Sequence, residues 1–207
     1  MKRSFARRVI IGILALAAFV SHARAERVLA VTVLGSDDDP RARAVEEAVA
    51  FWNRSLEEVG VGVRFGAVRF AGDRAADRVL REFKRGDIDI RNDDALPGLL
   101  DPIDGDVVVA LTDADIMSFG TPWSRRAKGF VGLRRGDKPP ISLPNVARNA
   151  AAHELGHVLG LDHNADPAML MCGRPASCRP DAFASETPRF FPLTDAEKRR
   201  LRSLWPR

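Results

Sequence analysis

Four segments of the chain carry the apolar patterns of β-strands. Residues 28–34 and 106–112 are almost continuous runs of apolar, often β-branched residues, which are typical of strands buried on both faces. Residues 61–70 alternate between apolar and polar positions and predict a further strand. Residues 129–133 are short, apolar and flanked by basic residues. Because charges of this kind often guard the margin of a sheet, we expect this segment to be an edge strand.

Helical periodicity follows the first strand. Apolar residues recur at helical spacing over residues 41–59. Asp39 is the predicted N-cap, Pro40 occupies the first helical position, and Gly60 is expected to end the helix. Residues 73–85 predict a short surface helix. The alternation of strands and helices predicts a domain of mixed α and β structure.

The first 25 residues have the pattern of a secretory signal peptide. A basic start precedes an apolar stretch at residues 9–20, and Ala23-Arg24-Ala25 is a small-x-small cleavage site. The apolar stretch is too short to span a bilayer, so we expect no membrane anchor. Cleavage after Ala25 leaves residues 26–207 as one domain, exported to the periplasm or the medium of what looks like a bacterial cell.

Charge gives no reason to expect a nucleic-acid partner. The chain has 32 basic and 28 acidic residues, but five of the basic residues and none of the acidic ones lie in the predicted signal. The remainder therefore carries a net charge of −1. Arg125, Arg126 and Lys128 form a basic cluster. We interpret this cluster as a solvated flank, with a preference for acidic substrates as the alternative.

Two groups of aspartates offer oxygen ligands. Asp37, Asp38 and Asp39 precede the first helix, and Asp101, Asp104 and Asp106 end a loop predicted over residues 87–106. Ca²⁺ binding is the less favoured interpretation, because helix capping and turn formation account for aspartates at such positions.

The chain has two cysteines, Cys172 and Cys178. In an exported protein the oxidising environment favours a disulfide that closes the short loop between them. A free thiol and a metal ligand, including inhibitory ligation by Cys172, are the alternatives.

The candidate chemistry lies in the segment HELGHVLGLDH, residues 153–163. Asn145 is expected to cap the helix that contains it. His153 and His157 are four residues apart, so their imidazoles project from one helix face at a spacing suited to two zinc ligands. Gly160 can turn the chain back and place His163 as the third ligand. One coordination position then stays open, as catalytic zinc requires.

Glu154 is the predicted general base. It lies one position after the first ligand, where it can act on water without binding the metal. The chain has no tyrosine, which excludes a mechanism that needs a tyrosine hydroxyl. The residues therefore predict hydrolysis with one catalytic Zn²⁺.

This segment resembles the extended zinc motif of the metzincin metallopeptidases. Met171 lies where matrixins place the methionine of their Met-turn, with Met169 as a nearby rival, although Asn164 stands where matrixins usually have serine. A capping box of Thr194 and Glu197 opens a final helix that resembles the last matrixin helix. Residues 111–116 and 129–132 have weaker similarity to archaemetzincins.

The resemblance implies a metzincin-type α+β catalytic domain over residues 26–207, with a twisted mixed sheet, a long active-site helix, a Met-turn and a C-terminal helix. It implies a monomeric endopeptidase that acts on protein or peptide substrates. The extended substrate is expected along the edge strand at Phe130, Val131, Gly132 and Leu133. Residues 172–191 are expected to wall the pocket. A secreted zinc-binding interaction module without proteolytic activity is the alternative function.

Overall fold

The computed structural model describes residues 25–72, 74–85, 96–114, 116–136, 142–178 and 187–207. Most of the predicted signal peptide, residues 87–95 of the predicted loop and residues 179–186 of the predicted pocket wall lie outside this part. In chain order the elements are β1 (Arg27–Leu34), α1 (Pro40–Val59), β2 (Val63–Ala71), α2 (Arg74–Arg85), α3 (Leu96–Leu100), β3 (Val107–Leu111), β4 (Phe119–Thr121), β5 (Gly129–Leu133), α4 (Pro144–Val158) and α5 (Asp195–Leu204).

The five strands form one mixed sheet in the order β2-β1-β3-β5-β4. Strands β2, β1, β3 and β5 pair in parallel, and β4 pairs antiparallel with β5. The predicted mixed α and β fold is confirmed. The prediction that residues 129–133 form the edge strand is wrong, because β4 covers β5 and is itself at the edge. All five residues of β5 are buried, and the basic residues lie outside the strand.

Helices cover both faces of the sheet. On one face α1 and α4 pack against side chains such as Val31 and Val109, with Trp52 fully buried between them. The indole Nε1 of Trp52 donates a hydrogen bond of 2.8 Å to the backbone oxygen of Ala152, which ties α1 to α4. On the other face α2 and α3 bury Phe130 and its neighbours. The site-bearing helix α4 is thus part of the main core.

Helix α1 begins and ends as its sequence predicts. Asp39 Oδ1 accepts a hydrogen bond of 2.8 Å from the backbone N–H of Arg41, and Gly60 adopts a left-handed φ of 79°. The buried guanidinium of Arg41 donates to the backbone oxygens of Thr112, Leu133 and Arg134. It therefore binds the chain at the carboxyl ends of β3 and β5.

Three of the aspartates considered as calcium ligands have protein partners. Asp39 caps α1 and pairs with Arg41. Asp104 lies 3.0 Å from the guanidinium of Arg69, and Asp106 accepts a hydrogen bond of 3.0 Å from the backbone N–H of Ala30. Helix capping, ion pairing and a hydrogen bond to the backbone of β1 account for these carboxylates.

Within the described ranges, no helix combines the length and the apolar character needed to cross a membrane.

Candidate metal centre

Helix α4 supplies two of the candidate ligands, and its start differs from the prediction. It begins at Pro144 with Leu143 at the N-cap, so Asn145 is not the cap. Asn145 is instead buried in the first turn. Its Oδ1 accepts a hydrogen bond from the backbone N–H of Arg189, and its Nδ2 donates to the backbone oxygen of Thr187.

Asn149, one turn later, binds the same backbone segment. Its Nδ2 donates to the backbone oxygen of Arg189, and its Oδ1 accepts from the backbone N–H of Phe191. Amide side chains four residues apart on one helix face reproduce the donor and acceptor pattern of a neighbouring strand. Together with Asn145, they hold α4 against the chain that leads to α5.

The three candidate ligands converge on one point. Their Nε2 atoms form a nearly equilateral triangle, in which His153 lies 3.1 Å from both His157 and His163, and the last two are 3.0 Å apart. Two nitrogens bound to one tetrahedral zinc ion at about 2.0–2.1 Å would be roughly 3.3–3.4 Å apart. The donor set and its spacing therefore fit zinc.

Backbone carbonyl groups orient two of the imidazoles. Nδ1 of His153 lies 2.8 Å from the oxygen of Leu170, and Nδ1 of His157 lies 2.8 Å from the oxygen of Leu161. A carbonyl oxygen can only accept, so each Nδ1 carries the proton and each Nε2 directs a lone pair into the triangle. Lone pairs this close repel each other, and a cation between them removes the repulsion.

The surroundings of His157 favour its neutral form, which is the form that binds metals. Burial lowers the pKa of His157. The hydrogen bond to Leu161 opposes that shift, the neighbouring His163 adds to it, and the charge of Asp162 opposes it, with a net lowering. A neutral imidazole binds a metal without first losing a proton.

The centre is open on one side. His153 is buried, His157 is half-buried and His163 is exposed. Within the described residues, these three form the one group of three or more His, Cys, Asp or Glu residues placed to hold a metal. The three-histidine cluster suggests zinc binding with access from the side of His163.

The segment that carries His163 is fixed to the segment after Met171. Gly160 has a φ of 87°, as the predicted turn requires. The backbone N–H of Asn164 donates to the oxygen of Met171, and the N–H of Gly173 donates to the oxygen of Asn164, each at 2.9 Å. A Cβ at Gly173 would lie 2.3 Å from Cγ of His163. Gly173 therefore packs directly against the third imidazole.

The predicted disulfide is present between Cys172 and Cys178. It occupies the sulfur of Cys172, which removes the alternatives of a free thiol and of a metal ligand for this residue. The bond closes a loop that begins one residue before Gly173. The disulfide thus constrains the segment that packs on His163.

Met171 is fully buried beneath α4. A Cβ at Gly156 would lie 2.4 Å from its sulfur, so the glycine of the motif allows the thioether to approach α4 closely. The rival Met169 is only half-buried. Burial favours Met171 as the Met-turn residue, which remains a prediction.

Glu154 lies between the two helical ligands in sequence and is 7% exposed. Edge strand β4 packs on its backbone, since a Cβ at Gly120 would lie 2.3 Å from the backbone oxygen of Glu154. The candidate base therefore sits where α4 meets the edge of the sheet.

Sequence patterns do not reveal the roles of several residues around the candidate centre. Leu161 and Leu170 act through backbone oxygens, which any residue could supply. Asn164 donates a hydrogen bond of 2.6 Å to Glu197, whose other carboxylate oxygen completes the predicted capping box of α5 with Thr194. The third-ligand segment is thereby joined to the C-terminal helix.

Comparison with known proteins finds a similarity in structure alone. No protein-family model matches the sequence, and no curated protein matches it. Among solved structures the chain is similar to archaemetzincin from Methanopyrus kandleri, at 16% identity and a TM-score of 0.49, covering 89% of this chain and 98% of that one. The matrixin-like assignment finds no support in these comparisons.

Proposed function

We propose that this protein is an exported, zinc-dependent endopeptidase of metzincin type. The observation that carries the proposal is the triangle of Nε2 atoms from His153, His157 and His163, with Glu154 on the same helix. Three protein ligands leave a position for water and substrate, whereas structural zinc is usually closed by four. Imidazole nitrogen is a ligand that suits zinc.

Each component has a separate task in peptide hydrolysis. Zinc, when bound, supplies Lewis acidity that polarises the scissile carbonyl group and lowers the pKa of water towards neutrality. Glu154 accepts a proton from the attacking water as the new carbon–oxygen bond forms. The same carboxyl group then gives that proton to the amide nitrogen as the carbon–nitrogen bond breaks. The hydrogen bonds to Leu161 and Leu170 keep two imidazoles in their ligand orientation.

The extended substrate is proposed to bind along β4 instead of β5. Strand β4 pairs with β5 on one side, and the sheet order leaves its other side at the margin. Because Gly120 brings this margin onto the backbone of Glu154, a peptide added to β4 would pass beside the candidate base and His157. The residues predicted for this role, Phe130 to Leu133, lie one strand further in and support β4.

We infer export from the signal pattern of residues 1–25, and the disulfide is compatible with it. We also propose that the protein is a monomer and that its substrate is a protein or a peptide.

The decisive experiment compares wild-type protein with Glu154→Gln. Both variants are loaded with zinc, assayed for bound metal, and incubated with a diverse peptide library that is read by mass spectrometry. We expect equal zinc content and a loss of cleavage by a factor of about 10³ in Glu154→Gln. Glu46→Gln, the same change on the exposed face of α1, is the matched control and should cleave at the wild-type rate.

Two results would count against the proposal. Equal cleavage by wild type and Glu154→Gln would show that Glu154 is not the general base. Full zinc binding without cleavage of any peptide by either protein would favour the non-proteolytic binding module.

A further inference from the structure

A cleft of about 720 Å³ adjoins the metal centre at His157. On one side it is lined by Gly120 of β4 and by residues that follow this strand. On the other it is lined by the end of α4 and by Trp205, directly after α5. Because the cleft shares both His157 and the edge strand with the proposed active site, a peptide bound at that site would extend into it.

The aromatic wall of the cleft is fixed to the metal-binding helix. The backbone N–H of Trp123 donates to the oxygen of Val158, and the indole N–H of Trp205 donates to the oxygen of Leu159, each at 2.9 Å. The centres of the two indole rings lie 5.3 Å apart. The hydrogen bonds from both tryptophans therefore end at the last turn of α4, which sets the shape of the cleft relative to the ligands.

The charge of the cleft is predominantly positive. Arg27, Arg125 and Arg200 line it, against one acidic residue, Asp162. The guanidinium of Arg27 lies 4.2 Å from the ring centre of Trp123 and 3.8 Å from the carboxylate of Asp106. Within the part of the chain that the structure describes, no carboxylate forms an ion pair with Arg125 or Arg200.

The basic residues Arg125, Arg126 and Lys128 line a second cavity together, and only Arg125 of the three also lines the cleft. Arg125 thus shares the cleft with His157, whereas Arg126 and Lys128 do not. The ammonium group of Lys128 donates a hydrogen bond to the backbone oxygen of Ile103. Arg125 is exposed, as a solvated flank requires, and its place in the cleft also makes it accessible to a ligand.

We propose that this cleft is a specificity subsite that binds a carboxylate group of the peptide substrate. The proposal rests on the peptidase function and names the substrate class of the same site. Arginine can bind a carboxylate with two parallel hydrogen bonds. Trp123 and Trp205 are half-buried, and the exposed parts of their rings offer contact area to the methylene groups of a glutamate side chain. The carboxylate comes from an acidic side chain or from a free C-terminus.

Binding to zinc-loaded Glu154→Gln tests the subsite apart from catalysis. Peptides with blocked termini carry a single Glu, or Gln in its place, at successive positions, and a second series compares free with amidated C-termini. Quenching of tryptophan fluorescence reports binding. We expect peptides with the carboxylate, either at one side-chain position or at the free C-terminus, to bind about fivefold more tightly than their amide counterparts. This difference in affinity should decrease as salt is added.

Removal of the arginines should abolish this preference. In Arg125→Ala/Arg200→Ala on the Glu154→Gln background, the ratio of the two affinities should approach one. Arg126→Ala, a neighbouring arginine that does not line the cleft, is the matched control and should keep the preference. Arg125→Glu should favour Gln or amidated peptides.

The outcomes distinguish this proposal from the peptidase proposal. Equal binding of carboxylate and amide peptides by the Glu154→Gln parent would overturn the subsite, even if the wild type cleaves peptides. An arginine-dependent preference in a protein whose wild type cleaves nothing would support the subsite and contradict the peptidase.

Discussion

At the scale of single residues, the candidate metal centre is built from backbone groups as well as from imidazoles. Leu161 and Leu170 offer only their carbonyl oxygens, yet these oxygens fix the ring orientation of His157 and His153. Such outer partners of metal-binding histidines commonly change metal affinity by about 10–100-fold when they are lost. Substitutions that displace the backbone should therefore affect zinc binding without any change of a ligand.

Gly173→Ala should weaken zinc binding while leaving the fold intact. The new Cβ would lie 2.3 Å from Cγ of His163, so the imidazole must move, and its exposed side lets it turn towards solvent. We expect zinc affinity to fall by about 10–100-fold, measured by competition with a chromophoric chelator. Far-UV circular dichroism of the zinc-free protein should be unchanged.

Gly98→Ala in α3 is the control for this prediction, because nothing lies within 4 Å of a Cβ at that position. It should bind zinc like the wild type. Wild-type affinity in Gly173→Ala would show that the packing of Gly173 does not hold the third ligand in place.

At the scale of elements, the sequence predicted what depends on local pattern. The capped ends of α1 and the capping box of α5 follow from side chains within a few residues of each helix end. Strand β4 escaped prediction, since three residues around a central glycine show neither alternation nor an apolar run. The start of α4 was misassigned because Asn145 binds a segment more than 40 residues away.

Helices α1 and α4 are also joined by an ion pair that should depend on pH. Arg148 of α4 donates to Glu47 of α1, which also accepts a hydrogen bond from Arg43. The hydrogen bond from Arg148 lowers the pKa of Glu47 below its usual 4.5; partial burial opposes this shift, and Arg43 adds to it. The folded state therefore favours the ionised carboxylate. The ion pair therefore contributes its full stabilisation above about pH 4.5, and this stabilisation is lost as the pH falls through the lowered pKa of Glu47.

Glu47→Gln should consequently reduce the free energy of unfolding by about 1 kcal/mol at neutral pH. The difference from the wild type should vanish on acidification. Urea unfolding of the zinc-free protein across this pH range measures both effects without metal linkage. Glu46→Gln, on the exposed face of α1, should match the wild type throughout. A deficit in Glu47→Gln that persists at low pH would contradict the assignment to the ion pair.

At the scale of the whole molecule, the site lies where three parts of the fold meet. Helix α4 supplies two candidate ligands and the candidate base, and β4 reaches that base through Gly120. Helix α5 reaches the segment of the third candidate ligand through the hydrogen bond between Asn164 and Glu197. The candidate ligand set was predictable because helical spacing places His153 and His157 on one face, and a turn at Gly160 can bring His163 to them. The meeting of the three parts depends on sheet order and long-range hydrogen bonds, which have no local pattern.

The proposed export gives a prediction for the whole molecule. The signal pattern ends at Ala25, and the disulfide between Cys172 and Cys178 requires an oxidising environment to persist. The chain-entropy model relates the stabilisation by a disulfide to the length of the loop that it closes, and for this short loop it predicts that the bond stabilises the folded state by about 2 kcal/mol. Protein recovered from the periplasm or medium after expression of the full chain should begin at Glu26. It should also resist thiol alkylation until reduced, as read by intact mass.

Ala25→Arg is the control, because a small residue is required directly before the cleavage point. This variant should keep the uncleaved mass at that site and stay with the cells. Wild-type protein that is exported with residues 1–25 attached would contradict the signal assignment. Exported protein with both cysteines open to alkylation would contradict the inference that the disulfide forms on export.

Because the disulfide segment packs on His163 through Gly173, reduction of the exported protein should also weaken its zinc binding.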